Sequence, residues 1–354
     1  MALPASILAQ EEPPELTGTV AFNVTSKQGR VERLAVTIGD GGSGPYKAIL
    51  WGESTLPTHA IYRPRDLRPF GGTNLLPIVA FGNGGCRNSS GEFRNFLSEI
   101  ASQGFLVVAI GPAGNAVVMG SEERTNTTAA SQLLDGVTWA VAENSRQGSA
   151  YFHKLDVAKI AVSGQSCGSQ QAIQVSGDPR VTTTVALSQG INMGPPPGAA
   201  AGAGRGAGAG RAGAGRGPAP PDRYAPFAPL LVRSPDDPGR AGGGGGRGNA
   251  AEILAKIHAP IIFITGGDSD HGHPSATQNY EAINQVPAVH AFQQVGHYPA
   301  TYREPNGGAF AKAAGAWLKW QLKGDKEAAK TFLGPDCGLC RDAKWTIERK
   351  NLDR

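Results

Sequence analysis

Lys159-Ile-Ala-Val-Ser-Gly-Gln-Ser-Cys-Gly168 is the stretch that decides the fold. Lys159–Val162 reads as a short strand. Ser163–Gly168 places one serine, Ser166, between two glycines. Ser169–Val175 then reads as a short helix. A strand that turns sharply into a helix at G-x-S-x-G lifts the serine hydroxyl out of the sheet edge. Ser166 is then held in a strained backbone position. Gly164 and Gly168 are required because a Cβ at either would collide with a neighbouring strand or helix. The N-terminus of the following helix favours negative charge developing beside the serine. Without its strand and helix, the five-residue pattern is an ordinary turn.

Working outward, the same alternation recurs on both sides. Short β-like runs at Thr19–Thr25, Val31–Ile38, Ala48–Trp51 and His59–Tyr62 precede Leu76–Phe81, a continuous apolar run that suits a strand buried on both faces. Ser89-x-x-Glu92 has the form of a capping box opening a helix, with Phe93, Phe96, Leu97 and Ile100 on one face and Gly104 closing it. A strand at Phe105–Ile110 and a helix at Ala130–Ala142 follow. Beyond the serine, strands are expected at Thr182–Leu187, Pro260–Thr265 and Val289–Gln294, with helices at Ala251–Ile257, Ser275–Ile283 and Ala309–Lys323. Strands separated by helices of this length imply an α/β fold with a doubly wound, mostly parallel sheet flanked by helices. Ligands in such sheets lie at the carboxyl ends of the strands.

A serine nucleophile needs a base and a group to orient that base. In this fold they follow the serine in the order acid, then histidine. The strand Pro260–Thr265 ends in Gly266-Gly267-Asp268-Ser269-Asp270, and the next strand leads to Val295-Gly296-His297-Tyr298. Asp270 is preferred to Asp268 because it stands three residues beyond the strand-end Gly267. His297 is the base and acid, with Asp270 fixing its tautomer. An oxyanion requires two backbone N–H donors. One is expected from Cys167. The other comes from Asn83, Gly84 or Gly85 in the loop Gly82-Asn-Gly-Gly-Cys86, among which the sequence does not choose.

These four stretches, GNGGC, GQSCG, GGDSD and GHY, resemble those of the α/β-hydrolase family, and the likeness spans residues 45 to 325 apart from one insert. The overall plan looks most like single-domain serine esterases of the dienelactone-hydrolase, cutinase and polyester-hydrolase kind. That resemblance implies a carboxylic ester hydrolase acting through an acyl-enzyme on a small-molecule or polymeric ester, with no cofactor. A peptidase or amidase using the same triad, or an inactive hydrolase fold that only binds, are the alternatives. The oxyanion loop lacks the His-Gly pair common in the family. The fold implied should also bring Cys86 and Cys167 close, either as a disulfide or as two free buried thiols. Cys337-Gly-Leu-Cys340 reads as a small disulfide loop, since no second C-x-x-C completes a zinc site. His271 and His273 lie beside Asp268 and Asp270, but one short loop rarely supplies a ligand set, and no metal is expected.

Composition is dominated by one segment. Residues 194–249 hold 17 of the 50 glycines and 10 of the 26 prolines. They also carry Arg205, Arg211, Arg216, Arg223, Arg233, Arg240 and Arg247 against Asp222, Asp236 and Asp237, an excess that equals the whole chain's net charge of +4. The rest of the chain is neutral, so no basic face for nucleic acid is implied. No apolar run reaches the roughly 18 residues of a membrane helix. The Ala/Gly repeats of 199–217 cannot bury enough apolar surface to order themselves, and only Tyr224–Val232 has the bulk to rest over an active site as a lid. The division expected is a trimmed export signal or disordered N-terminus at 1–15, a catalytic domain at 16–325 with a disordered insert at 194–249 after the sixth core strand, and a C-terminal extension at 326–354. The signal remnant and the cysteines together point to a secreted or periplasmic protein.

Overall fold

The apolar runs form strands whose alternate side chains face two different helical layers. In the computed structural model, residues 18–25, 31–38, 41–113, 116, 128–193, 250–298 and 300–352 are described. The expected N-terminal remnant and the insert at 194–249 lie outside them. Strands β1 (Gly18–Thr25) and β2 (Val31–Ile38) form a two-stranded antiparallel ribbon. The other strands make one sheet: β3 (Ala48–Gly52), β4 (His59–Pro64), β5 (Leu76–Gly82), β6 (Leu106–Ile110), β7 (Leu155–Gln165), β8 (Val181–Leu187), β9 (Ile261–Thr265), β10 (Ala288–Phe292) and β11 (Thr346–Lys350). Their order across the sheet is β11-β10-β9-β8-β7-β5-β6-β4-β3. The six strands from β6 to β10 run parallel, while β3, β4 and β11 are paired antiparallel. The nine-stranded sheet is therefore mixed and mostly parallel, flanked by helices.

Side-chain parity sorts the core. Val79, Phe81, Val107, Ala109 and Ala161 pack on α1 (Arg94–Ser102) and α6 (Gly308–Lys323), meeting Phe96, Leu97, Ile100, Phe310, Ala314 and Trp317. Ile78, Ala80, Leu106, Val108, Ile160 and Val162 face the other way, onto Leu133, Val137 and Ala140 of α2 (Ser131–Ser145) and Ala172 of α3 (Cys167–Val175). On the same side, Ala186, Ile261 and Phe263 pack against α4 (Ala250–Ala255) and α5 (His273–Ala282). Covering both faces explains why the central strands read as unbroken apolar runs.

One local expectation fails. Ser89 accepts a hydrogen bond from Gly91 N–H at 3.3 Å rather than capping Glu92. The segment Gly91–Phe93 is a 3₁₀ turn, and α1 starts only at Arg94. Glu92 is drawn away instead by Arg87, 2.9 Å from its carboxylate. The C-terminal extension expected at 326–354 is described as far as residue 352. Short helices α7 (Lys326–Ala329) and α8 (Gly338–Arg341) lead to β11, which pairs with β10, and Phe332 and Trp345 enter the same core as α6. This segment is part of the sheet and its packing.

Candidate active site

Strand β7 runs as far as Gln165, one residue before Ser166, and α3 starts one residue after it. No room is left for a gradual turn. Ser166 has φ 54° and ψ −118°, an arrangement that costs about 1–3 kcal/mol and persists only where its surroundings impose it. They do so in two ways: Ser166 N–H donates to the Leu187 carbonyl at 2.9 Å, and Ser166 O accepts from Ser169 N–H at 2.9 Å. Close backbone approach accounts for the flanking glycines. A Cβ on Gly164 would stand 2.8 Å from Gly82 O and overlap Gly168.

The expected partners converge on this serine. His297 Nε2 lies 2.9 Å from Ser166 Oγ, and its Nδ1 lies 2.5 Å from Asp270 Oδ1. Asp270 is fully buried and accepts further hydrogen bonds from Gly272 N–H at 2.8 Å and Gly266 N–H at 2.9 Å. Burial by itself raises a carboxyl pKa. Here the hydrogen bonds from His297, Gly266 and Gly272 outweigh it and hold Asp270 below the ordinary carboxylate value. Asp268, the alternative acid, instead receives Gln294 Nε2 at 3.5 Å on its carboxylate and does not touch the histidine.

The Gly82–Cys86 loop lies beside this set. Cys167 is the first residue of α3, where an N–H has no intrahelical acceptor. A disulfide joins Cys167 to Cys86 at the far end of the loop, and a second joins Cys337 to Cys340. Asn83 spends its side-chain amide on the loop itself, donating to Arg87 O at 2.9 Å and Ile110 O at 2.7 Å. Gly85 adopts φ 64° and turns the chain toward Arg87. Gly84 faces inward: a Cβ there would overlap the Tyr298 hydroxyl and Gln165 Oε1.

Several residues at the site carry no motif. Gln165 is fully buried and donates from Nε2 to His297 O at 3.1 Å, so the residue before the nucleophile holds the backbone of the base. Tyr298 is 39% exposed, and its hydroxyl stands beside Gly84. Desolvation, followed by the negative charge of Glu92, raises the phenol pKa. Behind Asp270, Thr265 Oγ1 contacts His273 Nδ1 at 2.8 Å and His290 Nε2 at 3.1 Å. Burial and then His273 push His290 down to about 3, so it stays neutral. Spacing offers no handle on these contacts. An invariable glutamine in the x position of G-x-S is the kind of signal that aligned relatives would carry.

Asp270, His271 and His297 bring potential metal-ligand atoms within 4.8 Å of one another. The Asp270 and His297 atoms are committed to each other at 2.5 Å. A tetrahedral zinc held about 2.0–2.2 Å from each would separate such ligands to roughly 3.3 Å. The set suits proton transfer better than metal binding. His273 is turned away from it, toward Thr265. No helix among the described residues is long and apolar enough to cross a membrane.

In comparisons with known proteins, no family model and no curated sequence matches this chain.

Proposed function

We propose that the chain is a serine hydrolase of the α/β-hydrolase kind that cleaves carboxylic esters through an acyl-enzyme. The observation that carries this reading is the continuous relay from Ser166 Oγ through His297 to Asp270, with both contacts at hydrogen-bond length. The strand order, with the serine after β7, the acid after β9 and the histidine after β10, is the chain order such hydrolases use.

In this mechanism Ser166 Oγ attacks the ester carbonyl as His297 Nε2 takes its proton. The oxyanion is received by Cys167 N–H and an amide of the Asn83–Gly85 loop, Gly84 being the residue turned toward Gln165 and the site. His297 then gives its proton to the departing alkoxide. Water, deprotonated by the same imidazole, attacks the acyl-enzyme and frees the acid and Ser166. Asp270, ionised and anchored by two backbone amides, supports the imidazolium in both halves. Val295 and Tyr298, 47% and 39% exposed, flank Gly296-His297 and leave apolar surface beside the base. Ester cleavage ranks above amide cleavage because the enzymes this chain resembles are esterases. The disulfides support a protein that works in an oxidising compartment, secreted or periplasmic.

The test is labelling by a fluorophosphonate with the adduct located by mass spectrometry, alongside aryl ester and aryl amide turnover. Ser166 should be the labelled residue, and Ser166→Ala should lower ester turnover by about 10⁵- to 10⁶-fold. Full ester activity in that variant would falsify the reading. Faster turnover of amides than of esters would assign the chain to the peptidase alternative.

A further inference from the structure

His297 stands on a loop beyond β10. β10 ends at Phe292, and no strand or helix covers His297 itself. The preceding Gly296 has φ 81°, and Val295 is exposed. The restraints on the imidazole are Asp270 at Nδ1, Ser166 at Nε2 and the Gln165 bond to its own carbonyl. Both ring contacts are made by the nitrogens at the ring's edge, and neither covers a face of the ring. Tyr298 meets the ring at 66° with centroids 5.9 Å apart, which covers an edge and not a face.

A face contact comes from His271. Its ring centroid lies 3.5 Å from that of His297, with the planes inclined by 33°. His271 follows directly on Asp270, whose carboxylate is anchored by Gly266 and Gly272, so the residue is presented from a fixed base. His271 is itself exposed, whereas the His297 side chain is only 13% exposed.

We propose that His271 is a positioning residue for His297: its ring roofs the catalytic imidazole, stops it rocking out of the plane shared by Asp270 and Ser166, and stabilises its protonated form. This rests on the serine-hydrolase reading above. Two physical effects combine. The roof confines the ring to the orientation in which Nε2 reaches Ser166 Oγ, and proton transfer is steep in that geometry. When His297 takes the proton, the imidazolium lies against an aromatic face, where a partly exposed cation gains roughly 0.5–1 kcal/mol. The gain belongs to the protonated state formed during reaction and not to substrate binding. It therefore acts on kcat and leaves KM alone.

The experiment compares His271→Ala and His271→Phe with the unmodified full chain, measuring kcat and KM for an aryl ester and the rate of Ser166 phosphonylation by a fluorophosphonate. Phenylalanine keeps an aromatic face without a titrating group. His271→Ala should lower kcat and the phosphonylation rate about two- to fivefold from the lost cation contact, with KM unchanged. His271→Phe should recover most of both. Circular dichroism and the unfolding midpoint should stay at the values of the unmodified chain in both variants. Unchanged rates in His271→Ala overturn the proposal, and so does equal impairment of the two variants, which would show that the aromatic roof is not what matters. A change in KM alone likewise overturns it by placing His271 in substrate binding. Phosphonylation of Ser166 in the unmodified chain separates these outcomes from failure of the hydrolase reading, which would abolish labelling in all three proteins.

Discussion

Gly168 rests directly on Gly82: a Cβ at Gly168 would overlap the Gly82 carbonyl and stand 2.6 Å from Asn83 N. The first turn of α3 and the end of β5 touch backbone to backbone, which brings the nucleophile and the oxyanion loop within reach of one another. Gly168→Ala has no side-chain tip to push aside. It should cost about 3 kcal/mol or more, at the upper end of overpacking penalties, and abolish ester turnover together with Ser166 labelling. Urea unfolding and fluorophosphonate labelling check the two parts.

Gly84→Ala should behave differently. The atoms a Cβ would meet there are the far ends of Tyr298 and Gln165, which can move, and Gly84 does not have a positive φ. Stability should change by no more than about 1 kcal/mol. Moving Gln165 loosens its bond to His297 O, and moving Tyr298 disturbs the other flank of the base. Turnover should fall about tenfold or more, toward the loss seen when an oxyanion donor is misplaced. A stability loss matching that of Gly168→Ala would contradict this contrast.

The disulfide Cys86–Cys167 closes a separation of 81 residues. Chain-entropy arguments put a loop of this length at about 4.5 kcal/mol, and disulfides typically contribute about 2–4 kcal/mol. The double variant Cys86→Ser/Cys167→Ser should lose about 2–4 kcal/mol in urea unfolding, and unfolding the original chain in reductant, which also opens Cys337–Cys340, should cost at least as much. On the proposed mechanism turnover should fall as well, since the crosslink ties the Gly82–Cys86 loop to the residue after Ser166. An intact kcat in the double variant would show that the loop holds its place unaided.

Asp270 gives a pH signature. Its folded pKa is below the ordinary value, so the unfolded chain binds its proton more readily. The stability it contributes is fully present above the unfolded carboxyl pKa of about 4 and is lost as pH falls through the folded value. Asp270→Asn should remove that part of the acid-side slope while lowering kcat by about 10⁴-fold. Unfolding midpoints from neutral pH down to acid, for both proteins, provide the check.

Phe332 tests the role of the C-terminal segment. It is fully buried, meeting Trp317 edge-on at 5.4 Å and Trp320 in a stack at 5.9 Å. Phe332→Ala should cost about 3–5 kcal/mol and lower the thermal midpoint by several degrees. A negligible shift would mean the segment packs only loosely.

Much of this arrangement was legible in the sequence because it depends on chain order and on backbone sterics. Strand ends carry Ser166, Asp270 and His297, and the glycines mark close approaches that a Cβ would prevent. The choice of Asp270 over Asp268 followed from its distance past the strand end. What could not be read depends on long-range side-chain geometry. Glu92 has the spacing of a helix-capping residue, but its carboxylate pairs with Arg87, which local spacing does not report. β11 escaped notice because Thr346-Ile-Glu-Arg-Lys350 is an edge strand with mostly polar, partly exposed residues, lacking the apolar run that marks the buried strands. The face contact of His271 on His297 joins residues 26 apart, and no periodicity encodes a ring angle.

The pairing of β10 with β11 has a consequence for biosynthesis. β10 leads into the loop that carries His297, and until residues 346–350 have left the ribosome it has a neighbour on one side only, β9. During synthesis the nucleophile strand and the acid turn can settle while the base still hangs from an open edge. A growing chain therefore holds the strand that leads to His297 from one side only until that edge closes.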